Sequence, residues 1–468
     1  MPIREWIDRR AFLRQAASGA AAMCAFRLGT EPTPVPHFTP RARRVLILHM
    51  VGAPSQLDLF DHKPALAQWH GKDLPDSVRQ GQRITTMTSG QKNLRIQRSN
   101  RVFAQHGRSG AWISDLLPHI AQCADELAIV RSMQTDAINH EPALNLMQTG
   151  NELPGRPSFG AWLAWALGAD TRELPAFVVL HSSWSGPKQD QALYSRLWGS
   201  GFLPAEHQGV LLRGQGDPVL FLKDPEGVSR EARAHQLAAM AKLNAAAQQR
   251  LGDTGIAARQ HQAELAFRMQ AAVPELTDLA AEPAHVTARY GPDVHTRGTF
   301  ANNIVLARRM LERGVRCVQI YHRGWDQHRD IERDLPLQCR DVDQPIAALL
   351  ADLRQRGMLD DTLVLWTSEF GRTVYAQGNP DDPSYGRDHH PRCFTTWLAG
   401  AGVRPGHQHG ETDELGYNTV RDAVHVHDLN ATVLWLCGFD HERLTFRHEG
   451  RDFRLTDVHG KVVRPLLA

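Results

Sequence analysis

The chain has 468 residues, of which 42% are hydrophobic and 22% charged, as in ordinary globular proteins with a large core. Residues 1–30 hold five of the 53 basic and two of the 51 acidic side chains, which leaves 48 against 49 in the remainder. This balance provides no basic excess for binding nucleic acid or anionic lipid. The six cysteines are scattered and form no Cys-x-x-Cys pair, so they indicate neither a disulfide framework nor a zinc finger.

The N-terminal residues have the pattern of an export signal. Asp8-Arg9-Arg10-Ala11-Phe12-Leu13-Arg14 is a twin-arginine pattern, and a run of small residues follows from Gln15 to Ala25. Twin-arginine signals are read by a dedicated export machinery, and the run is too short for a membrane span. We expect a signal segment over residues 1–30, a Pro-rich spacer over 31–40, no transmembrane segment, and a location in the periplasm or outside the cell. A basic amphipathic first helix is the alternative.

Apolar strand patterns and amphipathic helix patterns alternate along the rest of the chain. The alternation predicts an α/β fold with a mainly parallel sheet that is covered on both faces. Residues 225–272 predict a helical pair, interrupted near Gly252-Asp253, that could form an insertion or cap. The length fits one large domain with insertions or two domains. The predicted strands cover residues 45–50, 127–133, 174–180, 315–321, 362–367 and 393–399, and the predicted helices cover 110–128, 159–167, 299–314, 341–356 and 427–437.

Acidic and imidazole side chains follow the later strands. The strand over 315–321 leads into Gly324-Trp325-Asp326-Gln327-His328, and the strand over 362–367 is followed by Gly386-Arg387-Asp388-His389-His390. Ligands of open α/β sheets bind beyond the carboxyl ends of the strands, and imidazole with oxygen ligands suits zinc, manganese or iron more than calcium. Consecutive strand residues point to alternate faces, so we do not expect all of the last three to bind. The candidate metal ligands are Asp326, His328, Asp388, His389 and His390.

Other polar residues lie at similar junctions. Asp58 follows the first strand and a Gly/Pro turn, where it is a further candidate ligand or a turn cap. His140 lies at a strand-to-helix junction, where catalytic groups occur and where satisfied structural histidines also occur. Glu369 could be a metal ligand, a general base, or the partner of a nearby arginine. Arg372 and Arg387 are candidate substrate clamps, because arginine beside a metal suits oxyanions through bidentate contacts.

Several enzyme classes have no signature in the chain. It contains no Gly-x-Ser-x-Gly nucleophile elbow, no P-loop and no glycine-rich dinucleotide fingerprint. Serine hydrolase, kinase and dehydrogenase functions are therefore not expected.

The motifs together resemble one family, the domain of unknown function 1501, over a region from about residue 41 to the C-terminus. The family is similar to a distant branch of the alkaline phosphatase and sulfatase superfamily. The resemblance implies a single α/β/α domain over 41–468 with a helical insertion at about 225–272, one or two metals at the carboxyl edge of the sheet, and hydrolysis of phosphate or sulfate esters. The motifs that carry it are the twin-arginine leader, residues 52–61, Ile138-Asn139-His140-Glu141-Pro142-Ala143, Gly155-Arg156-Pro157-Ser158, residues 324–328, Ser368-Glu369-Phe370-Gly371-Arg372-Thr373, residues 386–390 and residues 450–457.

The resemblance extends to the metal site only in part. Asp58 is the nearest candidate for the acid after the first strand, and Asp326 with His328 is similar to a paired metal ligand. Glu369 stands where the superfamily has an Asp-His-Gly motif, and His389 or His390 would supply a later histidine. The covalent nucleophile is missing, because the position nine residues before Thr149-Gly150 is His140.

The resemblance thus implies an exported, metal-dependent hydrolase for an anionic ester. A metal-activated water is expected to attack directly, with His140 as a ligand or general base and Glu369 as the second catalytic candidate. The cofactor would be a divalent ion, either zinc, manganese, iron or calcium. The alternative is a degenerate, non-catalytic member that binds a glycan or a partner protein. The missing nucleophile supports this alternative, and the dense His/Asp cluster opposes it.

Overall fold

A nine-stranded sheet forms the centre of the protein. The computed structural model describes residues 33–186, 191–219, 224 and 226–468, so the predicted signal segment and the first two residues of the spacer lie outside the described residues. The strands, in chain order, are β1 (Arg44–Met50), β2 (Phe103–His106), β3 (Ala111–Ser114), β4 (Ala128–Gln134), β5 (Phe177–Ser182), β6 (Val210–Leu212), β7 (Cys317–His322), β8 (Thr362–Thr367), β9 (Gly371–Gln377), β10 (Gly386–His390), β11 (Phe394–Ala399), β12 (His407–His409), β13 (Glu411–Thr412), β14 (Thr419–Arg421), β15 (Val424–His425), β16 (Phe446–His448) and β17 (Arg451–Phe453).

The central sheet is mainly parallel, as the strand and helix patterns predict. Its strand order is β12-β4-β11-β8-β1-β7-β5-β6, and β15 also pairs with β4. The apolar strand β1 pairs in parallel with β7 and with β8, and β5 pairs in parallel with β6 and β7. Only β11 runs antiparallel to its neighbours within the described sheet. The carboxyl ends of β1, β7 and β8 therefore meet at one edge.

Helices cover both faces of this sheet. Along β1, Leu46 and Leu48 belong to one apolar core, whereas Val45 and Ile47 belong to the other. Two helices pack on the first core, Phe300–Glu312 and Ile331–Gln355, and three pack on the second, His140–Thr149, Phe159–Leu167 and Val426–Leu436. The result is the expected three-layer α/β fold. The helices are α1 (Gln56–Leu59), α2 (Leu66–Trp69), α3 (Asp76–Arg79), α4 (Pro118–Ala121), α5 (His140–Thr149), α6 (Phe159–Leu167), α7 (Arg230–Leu251), α8 (Thr254–Thr277), α9 (Ala284–Thr287), α10 (Phe300–Glu312), α11 (Ile331–Gln355) and α12 (Val426–Leu436).

Two of the predicted helices differ from the structure. The helix expected over residues 110–128 is wrong, because Ala111–Ser114 pairs with Phe103–His106 in an antiparallel hairpin and only the short α4 follows. The helix expected over 341–356 begins ten residues earlier, at Ile331. A proline inside a helix is unfavourable, because Pro336 has no backbone N–H to donate to the carbonyl oxygen of Glu332. Arg101 replaces that donor with a hydrogen bond of 3.2 Å to the carbonyl oxygen.

The stretch predicted as a helical pair contains α7 and α8, which are joined at Gly252 and Asp253. Leu237 is the one buried residue of α7 among those described, so this helix is largely solvated. Among the described residues, the helices include none with the length and apolar character needed to cross a membrane.

Candidate metal centre

Four side chains from three parts of the chain meet at the carboxyl edge of the sheet. Asp326 and His328 lie in the loop that follows β7, His140 is the first residue of α5, and His389 lies in β10. One ligand atom from each of the four lies within 4.8 Å of the others. We refer to these four residues as the metal cluster.

Two glycines allow these segments to approach one another. Gly52, after β1, has φ of +112°, and a Cβ there would lie 2.6 Å from the backbone nitrogen of Asp326. At Gly386, a Cβ would lie 2.0 Å from the carbonyl carbon of His328. Any larger residue would push the loop after β7 away from β1 or from β10. The glycines therefore determine the spacing of the metal cluster.

The carboxylate of Asp326 lies at the middle of the cluster. Its Oδ1 lies 2.8 Å from Nε2 of His328 and 3.3 Å from Nε2 of His389. Its Oδ2 lies 3.3 Å from Nε2 of His140. All three imidazoles thus present the same ring nitrogen to one carboxylate.

The opposite nitrogen of each ring has a hydrogen-bond acceptor. Nδ1 of His140 lies 2.7 Å from Oε1 of Glu369, and Nδ1 of His389 lies 3.0 Å from the carbonyl oxygen of Ile138. Nδ1 of His328 lies 2.6 Å from Oε1 of Gln377. A neutral imidazole that donates its Nδ1 hydrogen has a lone pair on Nε2. This assignment follows from the hydrogen-bond network, and in the neutral form of the rings it directs three lone pairs at the centre of the cluster. Burial would lower the pKa of His140, but its contacts with Asp326 and Glu369 raise that pKa above its usual value, so a bound cation would have to displace a proton from this ring.

The centre of the cluster is suited to a cation. The Nε2 atoms of His140 and His328 are buried and form no hydrogen bond of good geometry among the described residues, although the carboxylate of Asp326 lies 3.3 Å and 2.8 Å from them. Buried polar atoms that are poorly satisfied are costly. Protonating all three rings would place three imidazolium charges around one carboxylate. Burial lowers the pKa of His389 to about 4, although Asp326 opposes this shift, so His389 is neutral at pH 7. The residues present therefore fit a cation bound between the nitrogens and the carboxylate.

The charge state of Asp326 suits the same role. Burial alone would raise the pKa of this carboxyl, but the guanidinium of Arg372 and the three imidazoles hold it well below its usual range. Asp326 is thus ionised at any pH at which the imidazoles can bind a metal.

The family described as "Protein of unknown function (DUF1501)" matches residues 42–467. The chain belongs to this family. No curated protein matches the sequence significantly.

Several solved structures share part of the fold at low similarity. The phosphonate monoester hydrolase SpPMH from Silicibacter pomeroyi is 13% identical, with a TM-score of 0.34 and coverage of 75% of this chain and 71% of that one. The PsFucS1 sulfatase from Pseudoalteromonas sp. is 13% identical, with a TM-score of 0.35 and coverage of 93% and 73%. The alkaline phosphatase from the Antarctic bacterium TAB5 is 12% identical, with a TM-score of 0.29 and coverage of 79% and 94%.

Glu369 lies behind the metal cluster and has no exposed surface. Its Oε1 accepts a hydrogen bond of 2.8 Å from the backbone nitrogen of Gly52, in addition to the contact with His140. Its Oε2 lies 3.3 Å from Nε2 of His49. Burial alone would raise the pKa of Glu369, but His140 and His49 lower it well below its usual range. The structure thus places this residue where it orients His140 and not where it would contact a substrate.

A buried polar chain continues from Glu369 into the sheet. Nδ1 of His49 lies 3.2 Å from Nε2 of Gln148, and Oε1 of Gln148 accepts a hydrogen bond of 2.8 Å from Gln319. Sequence reasoning missed His49, Gln148 and Gln319, as well as Gln377. The one available signal was the imidazole of His49 directly after the apolar run Val45 to Leu48.

The guanidinium of Arg372 is completely buried and fixes the loops around the cluster. It donates hydrogen bonds to the carbonyl oxygens of Ala53 (2.9 Å) and Trp325 (3.2 Å), and to those of Gly52 and Arg387. It also lies 2.5 Å from Oδ1 of Asp326. With these partners it has no free face for a substrate anion.

The structure does not bring Arg387 and Asp58 to the metal cluster. Nε of Arg387 lies 2.9 Å from Oδ2 of Asp58, and Ser55 donates to the same oxygen at 2.5 Å. The guanidinium also donates to the carbonyl oxygens of Thr373 and Gln97. Both ions are buried, so this pair joins the hairpin of β9 and β10 to the segment after β1.

Asp388 and His390 also lie away from the cluster. Asp388 accepts hydrogen bonds from the hydroxyls of Thr88 (2.5 Å) and Thr85. Nε2 of His390 lies 2.7 Å from the carbonyl oxygen of Tyr417. Because side chains alternate along β10, His389 alone of these three neighbours reaches Asp326.

Proposed function

We propose that the protein is an exported, metal-dependent hydrolase that acts on a phosphate or sulfate ester. The observation that carries the proposal is the convergence of the Nε2 atoms of three imidazoles on one buried carboxylate, which the guanidinium of Arg372 also contacts. The choice of an anionic ester follows from the resemblance of the motifs to the alkaline phosphatase and sulfatase superfamily.

His140, His328, His389 and Asp326 would hold the ion. Three imidazoles and one carboxylate suit zinc, manganese or iron, and they suit calcium poorly, because calcium prefers ligands that are all oxygen. A bound divalent ion supplies Lewis acidity, which polarises an ester oxygen and lowers the pKa of water.

The unequal burial of the cluster determines from which side a substrate approaches. The side chains of His328 and Asp326 are 19% and 13% exposed, against 3% for His389 and 7% for His140. An ester would therefore approach over His328 and Asp326. Glu369 would keep the Nδ1 proton of His140 in place and so keep its Nε2 turned toward the cluster.

The alternative is a metal-binding protein that does not catalyse. Four protein ligands would occupy all coordination positions of a tetrahedral zinc ion, as in structural zinc sites, whereas catalytic zinc sites keep one position open. Both arginines that were candidate substrate clamps are also engaged with other groups. Manganese or iron, with more coordination positions, would leave room for substrate beside the same four ligands.

A direct experiment separates these functions. The purified protein is loaded in turn with zinc, manganese and iron and assayed on p-nitrophenyl phosphate, p-nitrophenyl sulfate and a phosphonate monoester. If the protein is a hydrolase, a chelator and the variant His328→Ala are each expected to abolish hydrolysis. The control His70→Ala, which changes a histidine beside Asp381, is expected to retain it. A metal that binds tightly in the wild type without hydrolysis of any ester would favour the non-catalytic function.

Export would proceed through the twin-arginine pathway, since Arg9 and Arg10 begin the signal pattern. Cell fractionation tests this: the wild-type protein is expected in the periplasm or medium, and the Arg9→Lys, Arg10→Lys double variant is expected in the cytoplasm. An unchanged distribution of the double variant would contradict export by this route.

A further inference from the structure

A second polar cavity lies beside the metal cluster. It has a volume of about 320 Å³ and is formed by the end of β4, the loop before α5 and the residues that follow β10. A larger cavity of about 520 Å³ lies against α8, includes no residue of the metal cluster, and borders residues outside the described part of the chain. The polar residues that line the smaller cavity include Arg83, Gln134, Thr135, Asp136, Arg392 and His425.

Two guanidiniums of this cavity are free to bind an anion. The side chains of Arg83 and Arg392 are exposed, and neither forms a hydrogen bond or ion pair with any residue that the structure describes. In this they differ from Arg372 and Arg387, whose guanidiniums are buried and fully engaged. A guanidinium with five unused donors is well suited to a sulfate or phosphate group.

A buried hydroxyl supplies a third donor. Thr135 is 6% exposed, and its Oγ1 has no hydrogen-bond partner within the described chain. Such a group carries a desolvation cost unless a ligand or water binds it. The one acidic side chain of the lining, Asp136, lies 3.1 Å from Nε2 of His425. Two arginines against one carboxylate leave the cavity with a net positive charge.

The cavity and the metal cluster share a wall. Ile138 lines the cavity, and its carbonyl oxygen lies 3.0 Å from Nδ1 of His389. Pro391, which also lines the cavity, follows His389 by two residues and accepts a hydrogen bond of 3.0 Å from the nitrogen of Thr135. The cavity therefore adjoins the His389 side of the metal cluster.

We propose that this cavity is an oxyanion subsite that binds a second sulfate or phosphate group of the substrate through Arg83, Arg392 and Thr135. The preferred substrate would then be an ester that carries at least two anionic groups. The subsite's part in catalysis rests on the proposed function, whereas its binding of anions does not depend on a metal.

The test measures binding on the full chain after removal of metal with a chelator. Glucose 6-sulfate and glucose 6-phosphate are titrated by NMR or calorimetry, with glucose as the neutral comparison. The wild type is expected to bind both esters and not glucose. Arg83→Gln and Arg392→Gln are each expected to weaken binding roughly tenfold. The single variant Thr135→Val is also expected to weaken binding. The matched control is Arg404→Gln, which removes another exposed arginine without a partner.

The outcomes separate the subsite from the metal site. The subsite proposal would be overturned if the wild type showed no saturable binding. It would also be overturned if Arg83→Gln and Arg392→Gln bound the esters as tightly as the wild type. If the two arginine variants lose anion binding but the wild type hydrolyses no ester with any metal, the subsite proposal stands and the hydrolase proposal is rejected. If hydrolysis is found, the same variants are expected to raise KM for a doubly anionic ester more than KM for p-nitrophenyl phosphate.

Discussion

Replacing Glu369 with glutamine tests the orientation of His140. Oε1 of Glu369 accepts the Nδ1 hydrogen of His140 at 2.7 Å and the amide hydrogen of Gly52 at 2.8 Å. The variant Glu369→Gln retains the shape of the side chain and one acceptor oxygen but removes the negative charge. The imidazole then has a weaker acceptor on Nδ1, and its Nε2 becomes a weaker ligand.

The size of the effect follows from known partners of metal-binding histidines. Loss of such a partner weakens metal affinity by roughly 10- to 100-fold, or about 1.4–2.7 kcal/mol. At a metal concentration of about 100 times the wild-type Kd, binding stabilises the wild type by about 2.7 kcal/mol. A tenfold weaker variant gains only about 1.4 kcal/mol at that concentration.

Affinity is measured by competition with a metal-binding dye, and stability by urea unfolding with and without metal. The control is Glu141→Gln, which changes the next residue along α5, a 64% exposed carboxylate paired with Arg196. We expect the control to retain wild-type affinity. Equal metal affinity in Glu369→Gln and the wild type would refute the assigned role of Glu369.

Three further predictions concern stability. In thermal unfolding, a chelator is expected to lower the Tm of the wild type but not the Tm of His328→Ala. A wild-type Tm that does not change with the chelator would contradict the presence of bound metal. Gly52→Ala is expected to lower the free energy of unfolding by about 1–3 kcal/mol from backbone strain alone. It is also expected to weaken metal binding, because its Cβ would lie 2.6 Å from the backbone nitrogen of Asp326. Unchanged urea unfolding and metal affinity would contradict that close contact. Asp58 is buried, which alone would raise its pKa, but Arg387 and Ser55 lower it below 3.8. Its contribution to stability is therefore complete above that value and is lost as the pH falls through the folded-state pKa. Asp58→Asn is expected to cost about 3–5 kcal/mol at pH 7 and to show a smaller loss of stability in acid than the wild type, as measured by urea unfolding between pH 7 and pH 3.

The fold could be predicted to a large extent because apolar strands in a covered parallel sheet have a strong pattern. The strand over residues 362–367 has the same bounds in the structure, and the α/β class follows from the alternation. The stretch over residues 110–128 could not be assigned, since its apolar spacing fits a helix in isolation. Its pairing with Phe103–His106 is a tertiary contact that local periodicity does not contain.

The metal cluster could be predicted only as a set of candidates. Strand ends indicated Asp326, His328 and His389, and the structure brings these together with His140. The sequence could not show which of Asp388, His389 and His390 faces the cluster, because the face depends on the register of β10 against β9, which shifts between Arg387 and His389. It also could not show that Arg372 and Arg387 are buried, since arginine is typical of both surfaces and sites.

The most direct test of the central claim is elemental analysis of the purified, tag-free protein. It is made on the wild type, Asp326→Ala, His389→Ala and the control His70→Ala, with circular dichroism to establish that each is folded. We expect about one equivalent of zinc, manganese or iron in the wild type and the control, and none in the two cluster variants. A folded wild type without transition metal, with the same stability before and after incubation with each of these ions, would contradict the metal centre.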